Sequence, residues 1–141
     1  MISNCNEITK NKIVLAKENG RTFKINNKSK FAINKVKVDN CYIKSNKIEK
    51  CDYLFEIIKN ENIIQIFYVE LKGKELKKGM EQLESTMRYC KTIHKNIKKQ
   101  CHIVVSRVPK FGAKSQQEKV IFERKNRIKL FIKSTQQELI I

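Results

Sequence analysis

Apolar and polar positions are patterned most clearly over residues 51–72, CDYLFEIIKNENIIQIFYVELK, where two runs rich in Ile, Phe, Tyr and Val flank Lys59, Asn60, Glu61 and Asn62. β-Branched and aromatic residues on both sides of a polar, Asn-rich turn predict a β-hairpin. With Asn60, Glu61 and Asn62 as the loop, Lys59 pairs with Ile63 and Asp52 lies opposite Glu70. Leu54, Ile58, Ile64, Ile66 and Tyr68 share the face of the acids; Tyr53, Phe55, Ile57, Phe67, Val69 and Leu71 form the other. Strands apolar on both faces are sheet centres covered from both sides.

A helical stripe follows Gly73: Leu76, Met80, Leu83, Met87, Cys90, His94 and Ile97 recur at steps of four and three, the spacing of a helix packed on a sheet. Gly79 within it costs about 1 kcal/mol relative to Ala, which leaves close packing as a reason for it. Residues 101–108, CHIVVSRV, read as a buried strand ended by Pro109. Ser115-Gln116-Gln117-Glu118 is a capping box, so a second helix is expected from there to about Lys125. Residues 127–134 alternate as a strand, placed at the sheet edge by their lysines. Upstream, residues 21–26 alternate as a strand, and residues 31–44 predict strands on either side of a bend at Asp39-Asn40. The periodicity of residues 6–17 leaves helix and strand open.

Length and charge narrow the picture. A chain of 141 residues has the size of one domain and can bury roughly 68% of its unfolded surface. Thirty-one Lys and Arg against fourteen Asp and Glu give +17, a surplus that favours a polyanion and, first among these, nucleic acid. A coding bias toward Lys, Asn and Ile is the competing source of that surplus. Five cysteines with no CxxC spacing suggest neither zinc nor disulfides, and predict reduced, mostly buried thiols. Residues 1–12 lack an apolar signal core, and no apolar run approaches the ~20 residues of a membrane span, so a cytoplasmic protein without membrane contact is expected.

The candidate chemistry sits at the end of the hairpin. Directly opposed residues point to one face with Cβ atoms roughly 4.5–5.5 Å apart, so Asp52 and Glu70 share one small space. Strand period two adds Lys72 to that face and turns Leu71 away. Opposed like charges destabilise a sheet unless a cation lies between them, and two carboxylates with waters suit Mg²⁺. A solvated strand end is the ordinary reading of an isolated Asp or Glu-x-Lys, but converging charges at the end of buried strands mark a site.

Asp52 at the start of one strand and Glu70-Leu71-Lys72 at the end of the next resemble the PD-(D/E)xK nuclease superfamily. The similarity covers residues 36–108, with Cys51 where the superfamily usually has proline. The resemblance implies an α/β fold with a restriction-endonuclease-like αβββαβ core, a mixed central sheet flanked by helices, and favours a first helix over residues 6–17. It implies a metal-dependent endonuclease in which Asp52, Glu70 and the Leu71 carbonyl hold Mg²⁺ or Mn²⁺, Lys72 serves the attacking water, and Gln82 of the following helix assists. It favours DNA over RNA and is compatible with a homodimer. Lys44, Lys47, Lys50, Lys110 and Lys114 are the candidate phosphate contacts, and Phe111 a candidate base-stacking residue. Asp39 is a supporting acid or, as Asp-Asn favours, a turn residue. The rival reading is a basic nucleic-acid-binding module, or a subunit that relies on partners, with a nuclease-like fold and no chemistry.

Overall fold

A computed structural model describes residues 1–71, 75–106 and 113–141. In chain order the elements are β1 (Asn6–Thr9), β2 (Ile13–Glu18), β3 (Arg21–Asn26), β4 (Ala32–Lys37), β5 (Tyr53–Lys59), β6 (Asn62–Glu70), α1 (Leu76–Tyr89), β7 (Lys99–Val105), α2 (Ala113–Asn126), β8 (Lys129–Ser134) and β9 (Gln136–Ile140). Six strands form a mixed sheet in the order β1-β4-β5-β6-β7-β8, antiparallel from β1 to β6 and parallel from β6 to β8. A smaller sheet has the order β2-β3-β9. The fold is α/β.

The hairpin β5–β6 lies at the centre because both of its faces are apolar. On one face Leu54, Ile66 and Tyr68 pack with Met80, Leu83 and Cys90 from α1 and its C-terminal cap and with Phe122 from α2. On the other, Phe55, Phe67 and Val69 pack with Val14, Phe23 and Ile25 from the smaller sheet. Each such side chain contributes roughly 1.5–3 kcal/mol on burial, so the two-sided cover fixes which residues face which way. β8 takes the sheet edge beside β7, as its lysines predict.

Several expectations are corrected. Residues 6–17 hold β1 and the start of β2 instead of a helix: Val14 and Ala16 are buried at period two, and β2 turns through Asn19-Gly20, both at positive φ, onto β3. The leading helix of an αβββαβ order is therefore absent among the described residues. Residues 38–43 form a turn closed by one bridge, Asp39 to Ile43, in place of a further strand. α1 stops at Tyr89, and the stripe continues through irregular turns in which the His94 amide donates to the Cys90 carbonyl. α2 includes Ser115 two residues inside its start at Ala113, so that serine does not cap it.

Two further corrections concern links between elements. The β5–β6 loop is Asn60-Glu61, both at positive φ as a two-residue type I′ turn requires, and Lys59 pairs with Asn62, not Ile63. A bulge beyond the Ile58–Ile63 pair then restores the expected register, so Leu54 faces Tyr68 and Tyr53 faces Val69. Cys5 and Cys41 form a disulfide, against the expectation of none; the β1–β4 pairing brings their backbones to a Cα separation of 5.7 Å. Cys51, Cys90 and Cys101 are buried thiols, as expected.

Candidate functional site

The restored register carries Asp52 and Glu70 to the same end of the central hairpin. The Asp52 amide donates to the Val69 carbonyl at 3.2 Å, which holds the start of β5 against the end of β6. The Leu71 amide donates to Asp52 Oδ2 at 2.7 Å and to Glu70 Oε1 at 3.1 Å. Two contacts of 2.7 and 3.1 Å to one nitrogen put these carboxylate oxygens no more than about 6 Å apart. Asp52 is 3% and Glu70 1% exposed, so the pair is not a solvated strand end.

Helix α1 closes over this pair. Gly79 lies so near the sheet that an added Cβ would sit 3.1 Å from Ile103 Cδ1 and 3.7 Å from Glu70 Cγ. The glycine thus serves the close approach anticipated from the sequence, at the place where the helix crosses Glu70. Further along the helix, Thr86 Oγ1 accepts from the Cys51 amide at 2.8 Å and donates to the Gln82 carbonyl at 2.8 Å. That hydroxyl ties the helix to the residue preceding Asp52. Burial pushes the Cys51 thiol well above its ordinary pKa, the Thr86 hydroxyl opposes this, and the Glu70 and Asp52 charges add to it, so the thiol stays protonated.

The remaining predicted residues are spread around this centre. Gln82 lines a depression with Asp39 and Lys50. Lys50 is engaged locally: its Nζ donates to the Ser45 carbonyl at 2.5 Å and lies 4.0 Å from Asp39 Oδ1. Lys44 and Lys47 are exposed in the loop entering β5, and Lys114 is exposed in the first turn of α2. Lys72, Lys110 and Phe111 lie outside the described residues.

A metal can be weighed against the donors present. Among the described residues no three His, Cys, Asp or Glu side chains are grouped to hold an ion. Two carboxylates gathered on one buried amide are nonetheless a fitting donor set for Mg²⁺, which binds through one or two carboxylates and keeps several waters.

A second polar constellation, on the same face, lies outside the residues singled out by motif. His94 Nδ1 is 2.5 Å from the Tyr68 hydroxyl, and His94 Nε2 is 2.6 Å from Glu56 Oε2. Glu56 Oε1 accepts from the Ile2 amide at 3.0 Å and from Asn34 Nδ2 at 2.7 Å. Glu56, His94, Asn34 and Tyr68 are all 0% exposed. Tyr68 O–H donating to Nδ1 and Nε2–H donating to a charged Glu56 satisfies every member with a neutral imidazole. Burial alone would raise the Glu56 pKa, but the hydrogen bonds from His94, Asn34 and the Ile2 amide outweigh it and hold it below the ordinary carboxylate value. The signal in the sequence is Glu56 itself, a charge inside the apolar run YLFEII.

Comparison with models of known protein families, with curated proteins and with solved structures finds no match to this chain.

Proposed function

We propose that this protein is a metal-dependent nuclease of the PD-(D/E)xK type, hydrolysing phosphodiester bonds in DNA, with a restriction-endonuclease-like core. The observation that carries the reading is the convergence of the buried Asp52 and Glu70 carboxylates on the Leu71 amide at the end of the central hairpin. Asp52, Glu70 and the Leu71 carbonyl would hold Mg²⁺, which when bound supplies Lewis acidity toward a phosphate oxygen and toward water. The Leu71 N–H fixes the orientation of both carboxylates before substrate arrives, and the cover of α1 keeps bulk water from one side of them. Lys72, which follows Leu71 in the motif, would orient the attacking water and oppose the negative charge that develops on the phosphate. Gln82, in the depression beside Lys50, assists from α1.

A binding module without chemistry is the second reading, supported by the net charge of +17, which serves either function. Glu70→Gln separates them because it keeps the shape and removes one of two charges that position the metal. Wild type should cleave DNA with Mg²⁺ or Mn²⁺; Glu70→Gln should lower the cleavage rate by at least about 100-fold and leave DNA affinity unchanged or higher. Normal cleavage by Glu70→Gln, or none by wild type, leaves the binding module.

A further inference from the structure

Beyond the joint between Thr86 and Cys51, a groove runs between the C-terminal halves of α1 and α2 and the start of β7. It is lined by Arg88, Lys91, Lys95, Lys99 and Lys125, with Glu84 as its acid. Glu84 is already engaged, with Oε2 2.9 Å from Lys125 Nζ, so the groove presents unbalanced positive charge. Arg88, Lys91 and Lys95 are exposed.

The cations stand on a braced platform. Lys91 and Lys95 belong to the irregular turns after α1, a segment of the kind that usually moves. Here His94, between them, points inward and is held by Tyr68 and Glu56 at 2.5 and 2.6 Å. Its amide donates to the Cys90 carbonyl at 2.9 Å, and the Ile97 amide to the His94 carbonyl at 3.3 Å. Lys99 Nζ donates to the Ile97 carbonyl at 2.7 Å, closing the turn from the other side. The buried Glu56–His94–Tyr68 chain, which the candidate site does not use, thereby fixes where these lysines stand.

Two further depressions lead from the groove toward Gln82. An adjoining depression shares Arg88, Lys125 and Glu84 and extends to Lys47 with Glu49 and Glu81, and a third, sharing Ile48 and Glu49 with that one, reaches Asp39, Lys50 and Gln82, so the positive surplus is confined to the first groove. Arg88 lies two residues beyond Thr86, whose hydroxyl accepts from the Cys51 amide next to Asp52, and nine beyond Gly79, which packs beside Glu70. We infer that this groove binds the phosphate backbone of the nucleic acid beside the bond presented to Asp52 and Glu70. The inference rests on the nuclease reading for that location, while the binding itself can be measured without any cleavage. Five cations against one acid in a single concave groove suit a strand of regularly spaced phosphates better than a flat anionic lipid surface.

The test is fluorescence anisotropy of labelled 20-nucleotide single strands and duplexes, in EDTA, from 50 to 200 mM salt. Arg88→Glu, Lys91→Glu and Lys95→Glu combined should weaken binding by about 100-fold or more at the lowest salt. The slope of log K against log salt should shrink by about 2 to 3, at 0.7–0.9 for each phosphate that the variant no longer neutralises. The corresponding triple Gln variant should shrink the slope in the same direction, and covers the case in which charge reversal unfolds the protein. An unchanged slope in a triple variant that melts like wild type overturns the inference. So does a wild type that binds no oligonucleotide but binds phosphatidylserine vesicles through these residues. Binding through the groove with no Mg²⁺-dependent cleavage keeps the groove and removes the nuclease; cleavage with an unchanged slope does the reverse.

Discussion

The two histidines are buried in different surroundings. His94 is enclosed by polar partners, whereas His102 is enclosed by aromatic rings: Phe131 stacked at 5.1 Å, Phe23 at 5.0 Å and Phe67 edge-on at 5.8 Å between centroids. Its Nε2 is 3.3 Å from Gln100 Oε1, and burial pulls its pKa from 6.5 down to about 3. A base whose folded pKa is depressed stays neutral in the fold, while the unfolded chain takes up a proton below 6.5. Stability therefore falls as pH drops from 6.5 toward about 3, by up to about 1.4 kcal/mol per unit. Glu56 acts in the same direction in a lower window, because its depressed pKa stabilises the fold above the ordinary 4.5 and is lost as pH falls through the folded value. His102→Phe keeps the aromatic cluster and removes the titrating ring. Urea unfolding at pH 7, 6 and 5 should show a stability loss in wild type that is largely absent in His102→Phe; equal slopes would assign the loss to other groups.

At the scale of elements, α1 and β5 are joined at Thr86, and the joint stands one residue before Asp52. Thr86→Val keeps the volume but leaves the buried Cys51 amide without its acceptor, a cost of about 1–3 kcal/mol. It should lower the denaturation midpoint accordingly and, on the nuclease proposal, reduce cleavage, whereas Thr86→Ser should restore both; wild-type cleavage by Thr86→Val would show that the joint does not position Asp52. The opposed acids are legible in the sequence because side-chain direction in a strand follows from counting. The count survives a wrong loop: taking Asn62 into the turn shifts the first pair by one residue, and the bulge, which sequence does not display, shifts the register back. The apolar stripe overstates the length of α1 because His94 and Ile97 also point toward the core, but from turns that mimic helical spacing. β9, QQELI, carries no strand signal of its own, since its polar residues become a strand only by pairing parallel to β3, whose Phe23 and Ile25 supply the apolar surface. The Cys5–Cys41 disulfide is equally hidden, because the residues meet only through the β1–β4 pairing.

Across the whole molecule, a surplus of +17 can arise from lysines that touch a partner or from lysines that are only solvated, and surroundings separate the two. Within the loop entering β5, Lys50 is committed to the Ser45 carbonyl and Asp39, while Lys44 and Lys47 are exposed and Lys47 borders the depression that adjoins the groove at Arg88 and Lys125. If the backbone crosses this loop on its way to the carboxylates, removing two charges there should reduce the salt slope of duplex binding by about 0.9 for each phosphate left without its lysine. Lys44→Glu with Lys47→Glu should therefore lower the slope by about 1 to 2, and Lys50→Gln should leave it nearly unchanged, because that ammonium is already hydrogen-bonded within the protein. The same isotherms measured by anisotropy decide the matter. A slope that falls with Lys50→Gln and not with the Lys44 and Lys47 pair would place the backbone on the Asp39 side of the loop, and no fall in either would leave the loop solvated and move the phosphate contacts elsewhere on the surface.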